Sequence, residues 1–188
     1  MTQPTATPIR TSTWRLDPAH SSVEFSIKHM MMTTVRGRFK DVQATLTGDE
    51  EHPDGCCVDA EIKVASIDTG SPDRDVHLKG ADFFDAERFP TIGFHSTSID
   101  GRPRNEGDRF KVTGDLTIRD ATLQVVLDCV YEGRGNDPWG KQRAGFSGST
   151  EIDRRDWGLR WNQAIETGGV LVANRVRIEV EVQFVKDE

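Results

Sequence analysis

Apolar and polar residues alternate along most of this chain, which is the pattern of a β-strand with one buried face. The clearest case lies near the C-terminal end, where Val176, Ile178 and Val180 alternate with Arg177 and Glu179. The same alternation recurs at residues 23–27, 58–64, 110–118 and 123–131. Because each segment has one apolar face, we expect an antiparallel sheet with a single side against a core.

Further strands are predicted where the alternation is shorter or less regular, at residues 14–16, 35–47, 91–100 and 143–152. In the second of these, the apolar phase shifts between Phe39 and Val42, as a β-bulge would cause. Short helical segments are predicted at residues 73–79 and near 29–33. About eight or nine strands, without a helix long enough to cover them, predict either a β-sandwich or a closed β-barrel.

Three glycines favour the barrel. Gly37, Gly114 and Gly148 each fall on the apolar face of a predicted strand. Glycine inside a strand usually marks a bend or a close approach by another group. In a barrel these positions are either corner bends or places that leave interior volume free. We therefore expect an all-β fold, an extended antiparallel barrel with short helical segments in its loops.

The length of 188 residues predicts one domain, which we place at residues 13–188. Residues 1–12 are polar and non-periodic, and we expect them to form a flexible tail. They lack the apolar run of a signal peptide, and no stretch of the chain approaches the ~20 apolar residues of a spanning helix. The expectation is a cytoplasmic protein that does not insert into membranes.

Charge and cysteine content narrow the function classes further. The formal net charge of −7 repels phosphate backbones, so no nucleic-acid partner is expected. Cys56, Cys57 and Cys129 fit neither a disulfide framework nor a zinc motif, and reduced thiols in a cytosolic protein are expected.

No motif in the sequence predicts a metal centre or a catalytic site. The five histidines are scattered and no pair has the i, i+4 spacing of a helical zinc site. Asp75 and His77 converge on a cation only if that segment is extended. Nothing resembles a nucleophile elbow or a phosphate-binding loop. We therefore expect no metal, no cofactor and no enzymatic activity.

The segment at residues 73–90 is the most informative part of the chain. It places Arg74, His77 and several carboxylates beside Phe83 and Phe84. A loop that only turned a corner would not need such bulky apolar side chains next to charge. We interpret this segment as a lid over an apolar cavity, with polar groups at the rim.

Two other segments have open interpretations. Residues 29–32 join His29 to three methionines, which suit either a portal or a buried turn at a barrel end. His29 is either a structural histidine or a contact for a ligand headgroup. Residues 153–162 suggest a second flap, with its aromatic side chains turned inward and its arginines ion-paired or solvated. The alternative is ordinary ion pairing at a barrel rim. Trp157 is the expected ligand contact in this segment.

Several short motifs occur together in a particular order. They are LDPAHS at 16–21, FSIKH at 25–29, GRF at 37–39, RD at 74–75, HL at 77–78, DFFD at 82–85, FP at 89–90, GDLTI at 114–118 and RDWGL at 155–159. With them the chain, over residues 14–185, resembles the YceI-like family of polyisoprenoid-binding proteins. The resemblance implies a lipocalin-like barrel whose lumen takes a long isoprenoid or similar lipid, and it implies a homodimer.

The chain departs from the family pattern at three positions. Asp120 stands where glycine is usual, and aspartate can also occupy a left-handed turn, so the hairpin is expected to survive. Leu123 replaces a basic residue, which removes a possible headgroup contact. Trp157 replaces phenylalanine and is expected to narrow one end of the lumen.

The apolar pattern and the resemblance together give a set of candidate ligand contacts. They are Phe25, Ile27, His29, Met31, Phe39, Arg74, Asp75, His77, Leu78, Phe83, Phe84, Phe94, Leu116, Leu127, Phe146 and Trp157. The expected function is to bind a polyisoprenoid, such as an isoprenoid quinone or a prenyl diphosphate, as a carrier, store or sequestering protein. Two alternatives remain: an enzyme with His29, Asp75 or His77 acting on a lipid-like substrate, and a barrel filled by its own side chains.

Overall fold

The computed structural model describes residues 11–49, 52–164 and 170–187, apart from the side chains of Pro53 and Asp54. These residues form one α-helix, α1 (Pro72–Lys79), and eleven β-strands. The strands are β1 (Ser12–Leu16), β2 (Ser22–His29), β3 (Thr33–Phe39), β4 (Val42–Asp49), β5 (His52–Lys63), β6 (Ile67–Asp68), β7 (Thr91–Asp100), β8 (Arg109–Ile118), β9 (Ala121–Asn136), β10 (Gln142–Asp153) and β11 (Val172–Lys186). Most of the predicted tail lies outside the described residues, and Ser12 already belongs to β1.

The strands form a closed antiparallel barrel. β1 with β2, β3 with β4, and β5 with β6 act as three long, interrupted strands, so the barrel has eight walls. One edge of β11 pairs with β10, and the other edge pairs with β2 and then with β1, which closes the ring. The predicted barrel is therefore confirmed and the sandwich is excluded. Among the described residues, no helix has the length and apolar character needed to cross a lipid bilayer.

The predicted irregularities are found in part. β3 ends at Phe39 and β4 begins at Val42, where the apolar phase shifts in the sequence. α1 confirms the helix predicted at 73–79, with Pro72 in its first turn and Lys79 in its last, where each residue type is favoured. The helical segment predicted near 29–33 is wrong. Those residues form the turn between β2 and β3, with φ of 51° at Met30 and 59° at Met31.

Two of the three apolar-face glycines accommodate aromatic rings. A Cβ atom on Gly37 would lie 2.4 Å from Cζ of Phe25, and one on Gly114 would lie 2.5 Å from Cζ of Phe94. A ring that packs over the backbone in this way needs glycine beneath it. These two glycines therefore seat phenylalanine side chains rather than leave interior volume free.

The hairpin at the first departure from the family pattern survives, as expected. β8 and β9 pair from Ile118 with Ala121 onward. The left-handed residue of this turn is Arg119, with φ of 57°, and not Asp120. The expectation for Asp120 was therefore wrong, although the hairpin itself is retained.

The two ends of the barrel are closed differently. The helix end is formed by the β2–β3 turn, residues 69–90 with α1, and the described residues between β10 and β11. It is packed by a buried cluster of Val64, Phe83, Ile92, Leu116, Ile118, Val125, Ile152, Trp157 and Leu159. The opposite end holds a smaller buried cluster of Trp14, Ala144 and Phe184. The space between these two clusters is the barrel interior.

Candidate functional site

A large apolar cavity fills the barrel interior. Its volume is about 920 Å³, and inward-facing side chains of all eight walls line it. The period-two alternation of the strands explains this lining, since every second residue of a wall faces inward. Candidate residues from the sequence that line the cavity are Phe25, Ile27, His29, Phe39, Arg74, His77, Leu78, Phe83, Phe84, Phe94, Leu116, Leu127 and Phe146.

Three candidate residues lie away from the cavity lining. Met31 is 69% exposed at the β2–β3 turn, which also excludes a buried methionine turn. The Asp75 carboxylate accepts hydrogen bonds from the backbone N–H and the hydroxyl of Thr69, at 2.9 and 2.6 Å. Trp157 is buried in the helix-end cluster, and its Nε1 donates to the Leu116 carbonyl oxygen at 3.0 Å. Trp157 therefore does not narrow the lumen, and the sequence prediction that it would is wrong.

Of the two tryptophans in residues 153–162, Trp161 is the one that reaches the cavity. Its ring centroid lies 5.2 Å from that of Phe83 and 4.7 Å from the His77 imidazole, which meets it edge to face. Phe84 packs against Phe39 in a similar edge-to-face contact at 6.0 Å. Residues 73–90 thus form the aromatic lid that the sequence predicted. The role of Trp161 was missed because its segment has no regular period.

A buried arginine holds this second flap in place. Arg154 is 3% exposed and donates to the carbonyl oxygens of Leu159, Trp161 and Ala173. Desolvation lowers the pKa of its guanidinium, and three carbonyl dipoles offset part of the cost of burying the charge. The sequence prediction of wet or ion-paired arginines is therefore wrong for Arg154. It holds for Arg155, which pairs with Asp153 at 2.6 Å.

The cavity reaches exposed polar residues of α1 at the helix end. Asp73, Arg74 and His77 are exposed and also line the cavity. The Arg74 guanidinium is fixed by Thr69, because its Nε donates to the hydroxyl oxygen at 2.7 Å and its Nη2 to the carbonyl oxygen at 2.8 Å. Nε2 of His77 lies 2.9 Å from a carboxylate oxygen of Asp82. This rim can hold the polar end of a ligand whose tail lies inside.

The cavity also reaches polar residues at the opposite end. There Tyr131, Arg104 and Arg134 join Phe110 and Phe146 in its lining. The Phe146 ring lies 6.1 Å from Phe110 and 5.5 Å from Tyr131. The position of Phe110 follows from strand alternation. The two arginines lie outside the regular alternation, and no motif in the sequence marked them.

The Cys129 thiol inside the cavity is poorly suited to nucleophilic catalysis. Cys129 lines the cavity, and burial raises the pKa of this thiol to about 11, which keeps the sulfur protonated and weakly nucleophilic. Asp75 and His77 lie in a helix rather than an extended segment, and each has a different partner. The arrangement is suited to holding an elongated apolar molecule.

Comparisons with known proteins identify the family of the chain. The chain is 38% identical over 141 residues to the UPF0312 protein plu2095 of Photorhabdus laumondii, covering 75% of this chain and 71% of that protein. It is also 38% identical to Protein YceI of Escherichia coli O157:H7, with 75% and 72% covered.

Solved structures share the fold. BcnA of Burkholderia cenocepacia superposes with a TM-score of 0.76 at 26% identity, over 89% of this chain and 98% of that one. A YCEI protein of Campylobacter jejuni gives 0.72 at 30% identity, over 86% and 90%. A polyisoprenoid binding domain from Saccharophagus degradans shares the fold alone, with 0.70 at 12% identity over 95% and 99%. The YceI-like domain model matches residues 14–184, and the chain belongs to that family.

Proposed function

We propose that this protein binds a long-chain polyisoprenoid, such as an isoprenoid quinone or a prenyl diphosphate, and acts as its carrier, store or sequestering protein. The observation that carries the proposal is the apolar cavity of about 920 Å³ inside the closed barrel. That volume lies near the upper limit of small-molecule sites, which span about 300–1,000 Å³. The fold is shared with a domain described as polyisoprenoid-binding, which supports the class of ligand.

The tail should dominate the affinity. Each buried methylene contributes ~0.8 kcal/mol, so one five-carbon isoprene unit contributes ~3–4 kcal/mol before ordering costs. One charged hydrogen bond from Arg74 or His77 at the rim contributes about 1.5–3 kcal/mol. Two or three buried isoprene units therefore outweigh the headgroup. Affinity should come from the tail, and selectivity among lipids should come from the rim.

A chain-length series tests this division directly. Quinones that share one headgroup and carry progressively longer prenyl tails should bind at least tenfold more tightly with each added unit, until the cavity is filled. Tryptophan fluorescence can follow binding, because Trp161 lies in the cavity wall. Affinity that does not change with tail length would refute the proposal. Fatty alcohols of matched length show whether isoprene branching itself is recognised.

The second candidate function is an enzyme acting on a lipid-like substrate. It is favoured by the His77–Asp82 pair at the cavity rim, since an imidazole oriented by a carboxylate is a common general base. Incubation with quinones and prenyl diphosphates, followed by mass analysis, would detect turnover. Product formation that is lost in His77→Ala would establish this candidate, and unchanged ligands would exclude it for those substrates.

We also propose a cytoplasmic homodimer. Cys57 and Cys129 form no disulfide, which suits a reducing compartment. Dimerisation rests on the family resemblance alone. Cell fractionation tests the location, and light scattering of the purified protein tests the dimer.

A further inference from the structure

A cluster of potential metal ligands lies on the outer wall of the barrel, away from the cavity. Cys57 and Asp59 are two residues apart on β5, and His95 on β7 is the direct cross-strand partner of Asp59. Alternation places Cys56 in the cavity lining and Cys57 on the outer face. The three outward side chains bring together a sulfur, a nitrogen and a carboxylate oxygen.

The separations between these atoms suit a four-coordinate ion. Sγ of Cys57 lies 3.8 Å from Nδ1 of His95 and 3.7 Å from Oδ2 of Asp59. Around a tetrahedral zinc ion the corresponding separations are about 3.4 to 3.6 Å, given bonds of about 2.0 to 2.3 Å. Nδ1 of His95 also forms a hydrogen bond of 2.6 Å with Oδ1, the other oxygen of the Asp59 carboxylate. Binding an ion through one carboxylate oxygen therefore requires this hydrogen bond to open and the carboxylate to reorient, and the exposed side chains of both residues leave room for that.

The chemistry of the cluster suits a cation. The Asp59 carboxylate lies beside the Cys57 sulfur. A divalent ion bound here would displace the thiol proton to solvent, and its charge would offset both the thiolate and the carboxylate.

We propose that Cys57, Asp59 and His95 form a binding site for one zinc-class divalent ion, with solvent completing the coordination. The ligand set of thiolate, imidazole and carboxylate is typical of zinc and disfavours magnesium or calcium, which prefer oxygen ligands. The sequence indicated no such site, because the register that brings His95 beside Asp59 is not visible in it. The inference is independent of the proposed lipid function.

The other histidine–carboxylate pairs provide an internal contrast. In His20–Asp17, His52–Asp49 and His77–Asp82 the nitrogen lies 2.9 Å from the carboxylate oxygen. Within the described ranges, the cluster of Cys57, Asp59 and His95 is the one group in which three such ligand atoms lie within 4.8 Å of one another. Such a pair offers two ligands and should bind zinc far more weakly.

The site lies where the β5–β7 ladder ends. Backbone pairing runs from Lys63–Thr91 to Asp59–His95, and beyond it the Val58 N–H donates to the Ser96 hydroxyl oxygen at 2.7 Å. An ion held by both strands at this point would act as a clamp. Zinc should therefore raise the unfolding temperature of the protein as well as bind to it.

Titration of the reduced full-length chain with Zn²⁺ and Co²⁺ tests the proposal. The expected result is one ion per chain, with the thiolate-to-cobalt charge-transfer absorption for Co²⁺. Cys57→Ser should abolish that absorption, and Cys57→Ser and His95→Ala should each weaken Zn²⁺ binding at least tenfold. The matched control is His20→Ala, which removes a histidine paired with a carboxylate but without a nearby thiol, and it should change neither signal.

Thermal unfolding of each variant without metal shows that it is folded. The zinc-induced rise in unfolding temperature should be present in the wild type and His20→Ala, and absent in Cys57→Ser and His95→Ala. Absence of one-to-one binding to the wild type would overturn the proposal. Binding or charge transfer that survives in Cys57→Ser would also overturn it.

Discussion

The helix end and the opposite end of the barrel are stabilised by different interactions. The helix end is packed by a large buried cluster that includes Phe83, Trp157 and Leu159, all from segments outside the strands. The opposite end has a small buried cluster and an ion network, in which Arg143 contacts Asp17 at 2.5 Å and Asp137 at 2.9 Å. Apolar packing thus forms the lid over the cavity, while charge pairs link the β9–β10 hairpin to the β1–β2 connection at the opposite end.

This difference divides the expected consequences of mutation. Changes to aromatic residues at the helix end should alter ligand binding and packing. Changes to the ion network should alter stability in acid and leave the ligand in place. The predictions below begin with the largest expected effect.

The largest effect is expected from Phe84→Asp, which places a carboxylate in the apolar cavity. A bound ligand would have to bury that charge or displace the water that hydrates it. Either costs several kcal/mol, so the affinity for prenyl quinones should fall at least a hundredfold. Phe25→Asp should act in the same way. Arg74→Ala should change affinity by about tenfold or less, given the size of one charged hydrogen bond, and should alter the preference among headgroups.

Titration with a quinone and a prenyl diphosphate of equal tail length measures both effects. The control is Val76→Asp, which adds the same charge to α1 at a position that is 70% exposed, and it should bind like the wild type. Equal losses in Phe84→Asp, Phe25→Asp and Arg74→Ala would contradict the division between tail and rim.

Gly37→Ala tests whether the Phe25 ring needs a glycine beneath it in β3. Its Cβ atom would lie 2.4 Å from the Phe25 ring and 2.8 Å from Cγ2 of Thr69, so the ring must move. We expect a loss of about 1–3 kcal/mol in the free energy of unfolding, measured by urea denaturation. Gly135→Ala is the control, because a Cβ atom there meets nothing within 4 Å. An unchanged free energy of unfolding in Gly37→Ala would show that the Phe25 ring does not need glycine at this position.

Trp157→Phe tests whether this tryptophan serves packing or ligand binding. The change removes the buried hydrogen bond from Nε1 to the Leu116 carbonyl oxygen. A loss of about 1–2 kcal/mol in the free energy of unfolding is expected, with quinone affinity unchanged. Trp139→Phe, at a position that is 82% exposed at the opposite end, should change neither quantity. Weaker quinone binding with an unchanged free energy of unfolding would show that Trp157 contacts the ligand.

The smallest effect concerns Asp17 at the opposite end. The Arg143 guanidinium holds the pKa of the Asp17 carboxyl at about 2, below its ordinary value of 3.8. The lowered pKa stabilises the fold at pH values above 3.8, and this stabilisation is lost as pH falls through about 2. Asp17→Asn should cost about 1 kcal/mol at neutral pH, after allowance for solvent screening, and should flatten the acid dependence of unfolding.

Urea denaturation at neutral and acid pH measures this effect. Asp187→Asn is the control, because its pair with Arg15 is exposed and should contribute little. If Asp17→Asn lowers stability as much at pH 2 as at pH 7, the Asp17–Arg143 pair is not its cause.

The regular parts of the molecule could be predicted from the sequence. Alternation such as Val176–Ile178–Val180 identified the walls and their inward faces, because strand geometry repeats every two residues. The break between Phe39 and Val42 was visible for the same reason. The lid at residues 73–90 was identified from its unusual combination of charge and phenylalanine.

The irregular segments could not be predicted in the same way. In the segment that holds Trp157 and Trp161, no period indicates which tryptophan faces the cavity, and the wrong one was chosen. The backbone is left-handed at Met30 and Met31, which is uncommon for methionine. The sequence therefore predicted a helical segment where the structure has a turn. His95 and Asp59 are neighbours only through the β5–β7 register, which tertiary structure sets.

Native mass spectrometry of freshly purified protein, followed by solvent extraction of what is released, tests the central claim most directly. The proposed function predicts one bound lipid per chain, with fragments spaced by isoprene units, and its loss in Phe84→Asp but not in Val76→Asp. An empty protein that also fails to bind added quinones and prenyl diphosphates would contradict it.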